Sequence, residues 1–131
     1  MKTANLTLVV EDDEITSFLI QKTLSKSNVF KEILSFENGQ PALVYLQEAL
    51  AQLKPIPDLI LLDINMPIMD GWELLDALQE LHFPNHIPVV MLTSSINEED
   101  RRKAKTYKNV QGYFTKPLTE KYVEELVKLL H

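Results

Sequence analysis

Two short apolar runs constrain this chain more than any other feature: LILL at Leu59–Leu62 and VVML at Val89–Leu92. Neither alternates with polar residues, and each is entered through a proline-containing stretch, KPIPD and FPNHIP. A short unbroken apolar run suits a strand covered on both faces, because each successive side chain needs its own apolar layer. The rest of the chain supplies the cover. Strand patterns are read at Leu6–Val10, Lys31–Phe36, Asp58–Leu62, Val89–Leu92 and Val110–Thr115. Helical patterns lie between and after them, at Glu14 to about Lys26, Gln40 to about Leu53, Trp72–Leu81, Asn97–Lys108 and Thr119–Leu130. Asn97 and Thr119 are suited to cap the last two helices. Strict alternation of this kind predicts an α/β protein with a doubly wound, five-stranded parallel sheet and five helices on its two faces.

The 131 residues suffice for one domain with a sizeable core and are too few for two ordinary ones. No cysteine is present, which excludes disulfides, thiolate metal sites and thiol catalysis. The formal net charge of -6 argues against a nucleic-acid surface, which is usually basic. The opening MKTANLTLVVEDD is too short in its apolar part for a signal peptide. No later run is long enough to span a membrane, so a cytoplasmic protein is expected.

Sheets of this class bind ligands beyond the carboxyl ends of their strands. Glu11, Asp12 and Asp13 follow the first strand, and Asp63 follows the third. Thr93, Ser94 and Ser95 follow the fourth, and Lys116-Pro117 follows the fifth. With the first and third strands adjacent, three or four carboxylates crowd one rim. Such crowding is costly unless a cation or a proton compensates it. Oxygen ligands without His or Cys select Mg²⁺, Mn²⁺ or Ca²⁺. Lys116 and Thr93 would face the charge of a phosphoryl group, and a carboxylate can be the nucleophile that accepts one.

VVEDD, LLDINMPIMDG, VVMLTSS and GYFTKP, in this order along the whole chain, resemble the response-regulator receiver domain of two-component signalling. The resemblance implies a flavodoxin-like sheet of strand order 2-1-3-4-5. It implies that Asp63 is the phosphorylated residue. Glu11 and Asp12 become the acidic pair, and the metal site becomes Glu11, Asp12, Asp63 and the Asn65 backbone carbonyl around Mg²⁺, with Asp12 the direct ligand of the pair and Mn²⁺ as a substitute. Lys116 would pair with the phosphoryl group, Thr93 would be the hydroxyl switch, and Tyr113 the aromatic switch. The Lys116-Pro117 bond is expected to be cis. The partners implied are a histidine kinase or a histidine phosphotransfer protein as donor, and a downstream protein whose affinity changes. Neither DNA nor membrane binding is implied. The chain would catalyse only its own phosphotransfer and dephosphorylation. It ends just after the last helix, so it is expected to be a single receiver domain, residues 1–131, with no output domain.

Two other readings of the acid site are distinguishable. A phosphatase working through an aspartyl phosphate wants a second acid two residues after the nucleophile, and Asn65 stands there. A receiver-like binding module that is never phosphorylated would not need the complete set.

The remaining residues of interest have plainer roles. Asp13 and Glu14 suit the first turn of a helix, where the dipole favours acids. His82, His86 and His131 lack metal-ligand spacing and read as structural, and Trp72 reads as packing or partial exposure. Arg101, Arg102, Lys103, Lys105 and Lys108 read as a solvated helix face. In the first helix Ile15, Leu19, Ile20 and Leu24 fall on one side at 100° per residue and form the expected core stripe. Phe18 then points outward near the acidic rim, a candidate anchor for the domain that carries the donor histidine.

Overall fold

A computed structural model describes residues 3–130, and among them the apolar runs form the centre of one parallel sheet. The elements run β1 (Ala4–Val10), α1 (Glu14–Ser25), β2 (Phe30–Phe36), α2 (Gly39–Leu50) and β3 (Leu59–Leu62). They continue with α3 (Gly71–Glu80), β4 (Val89–Thr93), α4 (Glu98–Ala104), β5 (Val110–Thr115) and α5 (Glu120–Lys128). Strand order is β2-β1-β3-β4-β5, as the resemblance implied.

Alternate side chains of the central strands part to opposite layers, which is why LILL and VVML contain no polar residue. Leu59, Leu61, Val90 and Leu92 pack with Ile20 and Leu24 of α1 and Val123 and Leu126 of α5. Ile60, Leu62, Val89 and Met91 pack with Leu46 of α2 and Leu74, Leu75 and Leu78 of α3. Each fully buried leucine contributes roughly 1.5–3 kcal/mol of transfer free energy, so these two layers carry most of the stability.

Short polar side chains start the helices. Asp13 caps α1 by accepting from the Thr16 N–H, and Asn97 and Thr119 cap α4 and α5 as expected. Asp70 and Glu73 form a reciprocal capping box on α3. His131 lies outside the described residues. Among the described residues no helix is long and apolar enough to cross a membrane.

Three expectations need correction. The core stripe of α1 is Ser17, Ile20 and Leu24, whereas Ile15 is 71% and Leu19 55% exposed. The helix is turned because the buried Ser17 hydroxyl pairs with that of Ser35 on β2 at 2.7 Å, and Gln21 Nε2 donates to it. The second helix stops at Leu50 rather than Leu53. Gln52 adopts φ 66° there, and the Leu53 N–H returns to the Glu48 carbonyl at 2.9 Å. That left-handed cap usually takes glycine, so no sequence signal marked it. The fourth helix ends at Ala104 rather than Lys108. The N–H groups of Lys105, Thr106 and Tyr107 bond three residues back, and this tighter winding carries Tyr107 inward. Tyr107 is buried, stacks on Trp72 with ring centres 6.0 Å apart, and donates its hydroxyl to Asp76 at 2.8 Å.

Candidate functional site

The register of β1 against β3 pairs Val10 with Leu62, so the residues just beyond them, Glu11 and Asp63, emerge side by side. Backbone bonds hold both: Asp63 N–H to the Val10 carbonyl at 3.1 Å, and Glu11 N–H to the Phe36 carbonyl at 2.9 Å. The rigid strand thus carries a carboxylate straight to the rim. The chain after it is pinned by the Gly71 N–H on the Ile64 carbonyl at 2.8 Å. A Cβ on Gly71 would stand 2.4 Å from the Asp63 carbonyl oxygen, so only glycine lets α3 start this close to the end of β3. The same turn holds Ile68, a β-branched residue, at φ 67°. Such a conformation is costly and is retained where surrounding structure enforces it.

Lys116 reaches the acids from the end of β5. Its backbone N–H bonds the Thr93 carbonyl at 2.9 Å, and its Nζ donates to Asp63 Oδ2 at 2.8 Å. The same ammonium lies 2.5 Å from Glu11 Oε1. Glu11 is held by its other oxygen, which accepts the Asp13 N–H at 3.0 Å. Asp63 Oδ1 accepts the Ile64 N–H at 2.7 Å. The Lys116-Pro117 bond is cis, as expected.

Electrostatics follow from burial and crowding. Burial pushes the Glu11 carboxyl above the usual range, and its bonds to Lys116 and Asp13 only partly oppose this. Burial alone would lower Lys116, but its bonds to Asp63 and Glu11 outweigh that and raise it. One cation therefore serves two buried carboxylates, while Asp12 stands exposed beside them.

Glu11, Asp12 and Asp63 each offer an oxygen, and these atoms lie within 4.8 Å of one another. Glu11 Oε1 is buried with the Lys116 ammonium against it. Three carboxylates this close together, with one ammonium shared between two of them, fit a hard divalent cation of the Mg²⁺ or Mn²⁺ type.

The hydroxyl side of the site is separate. Thr93 is fully buried at the end of β4, and its Oγ1 accepts the Ser95 N–H at 3.3 Å. Tyr113 does not join the acids. It is half-buried on β5 and donates its hydroxyl to the Ser95 carbonyl at 3.0 Å. Asn65 is exposed in the turn two residues beyond Asp63. Phe18 points outward as expected, 62% exposed, although the stripe used to phase it was wrong.

Several contributors were not singled out in advance. Ser95 touches both Thr93 and Tyr113. Arg101, expected on a solvated face, lies over the Tyr113 ring at 4.7 Å, and Lys103 lies over Trp72 at 4.7 Å. Aromatic-cation spacing across different elements leaves no local pattern, so only the fold exposes it. The exposed Arg102, Lys105 and Lys108 fit the solvated face.

Comparison with known proteins agrees with this geometry. A family model described as the response regulator receiver domain matches residues 7–128. The response regulator Rcp1 of Synechocystis sp. is 39% identical over 94 residues, covering 71% of this chain and 64% of that protein, slightly under two thirds of its length. The crystal structure of a two-component response regulator from Cytophaga hutchinsonii superposes with TM-score 0.86 at 34% identity, covering 97% of this chain and 96% of that one. The Mn²⁺-bound form of Rcp1 superposes with TM-score 0.75 at 35% identity, covering 95% and 89%.

Proposed function

The chain belongs to the response regulator receiver domain family, and on that premise we propose that Asp63 accepts a phosphoryl group from a phosphohistidine. Receiver domains interact with histidine kinases. A kinase or a histidine phosphotransfer protein is the donor in this reading, and a downstream protein is the recipient of the signal. The observation that carries the assignment is the position of Asp63: buried on the end of a rigid strand, 2.8 Å from a lysine, and beside two further carboxylates.

In the transfer, an Asp63 oxygen attacks phosphorus, the phosphorus–nitrogen bond breaks, and its electrons return to the donor imidazole. The product is an acyl phosphate on Asp63. Water later cleaves the phosphorus–oxygen bond and releases inorganic phosphate. Positioning and charge neutralisation are most of what such a reaction asks of a protein. The fixed β3 strand and the Gly71 contact position the nucleophile. Lys116 already touches Asp63 Oδ2, and an oxygen of the phosphoryl group attached there would take over that ammonium. Asp12, Glu11, Asp63 and the Asn65 carbonyl would hold Mg²⁺, which when bound offsets the charge of the carboxylates and of the phosphoryl oxygens. Thr93 would donate its hydroxyl to a phosphoryl oxygen, so that the Ser95 and Tyr113 contacts change with it. The exposed Phe18, with Ile15 and Leu19 beside it, is the proposed docking anchor for the donor. The chain modifies only itself in this scheme.

The test is chemical. Incubation with a small acyl-phosphate donor and Mg²⁺ should add one phosphate by intact mass, and the adduct should be labile in base. Asp63→Asn should abolish it, and Asp12→Ala should lose the Mg²⁺ dependence of melting that binding confers by mass action. Normal labelling of the Asp63→Asn variant would overturn the assignment.

A further inference from the structure

The turn that follows Asp63 is strained beyond the point at which Gly71 pins it. Ile68 adopts φ 67°, and the Met69 N–H returns across it to the Pro67 carbonyl at 2.7 Å. A β-branched residue is among the least suited to that conformation, and its side chain, 77% exposed, gains no packing in return. The restraint comes from a second helix. Gly39 is the first residue of α2, so its N–H has no acceptor within the helix. The Met69 carbonyl takes it at 2.9 Å, and Asn38 Oδ1 takes the next N–H, that of Gln40, at 2.8 Å. Contact at this point is close enough to exclude a side chain. A Cβ on Gly39 would stand 2.7 Å from Met69 Cγ and 3.0 Å from the Met69 carbonyl oxygen. The φ of Gly39 is not positive, so space and not conformation is what requires glycine.

We propose that Gly39 is a positioning residue for phosphoryl transfer to Asp63: its bare backbone lets the start of α2 clasp Met69, and the clasp fixes the turn that carries the Asn65 carbonyl. The proposal rests on the phosphoacceptor reading for the reaction, and on the geometry alone for the clasp. Gly39 completes a path of backbone bonds around the acids. The Asp63 N–H binds β1 at the Val10 carbonyl, the Glu11 N–H binds β2 at the Phe36 carbonyl, and the Gly39 N–H binds the turn at Met69. Met69 is followed by Asp70, which caps α3. A methyl group at residue 39 must push Met69 aside. The Met69 side chain can swing away, but its carbonyl cannot move without losing the Gly39 bond. The strained turn then relaxes toward ordinary backbone angles, and the Asn65 carbonyl, between Asp63 and Ile68, shifts with it. Ligands of a small hard cation tolerate little displacement, and a nucleophile misplaced by a fraction of an ångström loses rate steeply.

The experiment measures the labelling rate of the full chain by a small acyl-phosphate donor with Mg²⁺, each variant compared at equal folded fraction. Gly39→Ala should slow labelling roughly tenfold and should need more Mg²⁺ to reach the same rise in melting temperature. Tyr45→Phe, which cuts the bond that ties α2 to the Pro55 carbonyl, should lower stability and leave both readouts unchanged. Gly39→Ala should slow the Met69→Ala background less than it slows wild type, because Cγ is gone and only the carbonyl stands in the way. Labelling of Gly39→Ala at the wild-type rate would overturn the proposal, as would equal slowing in Tyr45→Phe or an equal Gly39→Ala penalty in both backgrounds. If wild type takes no phosphate, the phosphoacceptor reading falls, while the Mg²⁺ dependence of melting still decides the clasp: an equal response in Gly39→Ala and wild type would overturn it. If Gly39→Ala does not fold, amide exchange of wild type decides. The clasp requires slow exchange at Gly39, and exchange at the rate of an unstructured amide would overturn it.

Discussion

Helices α3 and α4 follow adjacent strands that each end in a site residue, yet they are attached in opposite ways. α3 is closed at its start by the Asp70–Glu73 capping box, abuts the Asp63 carbonyl through Gly71, and buries Leu74, Leu75 and Leu78. α4 buries Ala104 and is otherwise held by side chains at its margins: Ser95 on Asp100, Arg101 on Tyr113 and Lys103 on Trp72. The half that carries the nucleophile is built on apolar packing, and the half beside Thr93 on polar and cation–aromatic contacts. Packing is stiff because a displaced core side chain loses many contacts together, whereas partly solvated polar contacts exchange at small cost. On the proposed reading of Asp63 and Thr93, the difference would keep placement of the acceptor and response to it in separate helices.

The largest effect should come from cutting into α3. Leu75→Ala should lower the unfolding free energy by roughly 2–5 kcal/mol, the usual range for a buried leucine, by chemical denaturation. Arg102→Ala on α4 should stay within about 0.5 kcal/mol of wild type. Equal losses would erase the distinction between the helices.

Next is the contact where α3 meets the site. Gly71→Ala should cost about 1–3 kcal/mol through overpacking, because the new methyl must displace backbone at the end of β3. It should also slow labelling of Asp63 by a small acyl-phosphate donor, since that same backbone positions the nucleophile. Normal labelling with normal stability would show that the close approach is dispensable.

The smallest effect sharpens the link between the two helices. Burial first, and then the bond to Asp76, push the Tyr107 phenol up to about 12. A raised folded value means that this stabilisation is complete below the unfolded value of about 10 and is lost as pH rises toward 12. Tyr107→Phe should cost about 0.5–1.5 kcal/mol near neutral pH. It should also remove part of the alkaline decline of wild type between about pH 10 and 12, read from melting temperature against pH. A decline of unchanged steepness would place its origin elsewhere.

Much of this division was legible in the residues. Unbroken apolar runs fixed the central strands, and the acids, hydroxyls and lysine after them marked the rim. What escaped detection shares one cause: it depends on pairs of residues distant in sequence. Ser17 counts as polar in any helical pattern, and only its partner Ser35 on β2 makes it a buried position. Gln52 ends α2 in a conformation that usually announces itself with glycine. Tyr107 looks like a continuing helix until Trp72 and Asp76 are placed beside it. Arg101 looks like a solvated charge until β5 brings Tyr113 beneath it.

The separation of placement from response is tested most directly by amide hydrogen exchange on the full chain with Mg²⁺, before and after a small acyl-phosphate donor. Phosphorylation should change exchange chiefly across residues 93–105 and at Tyr113, with the amides of Leu74, Leu75 and Leu78 unchanged. Changes of equal size in α3, or none in α4, would contradict it.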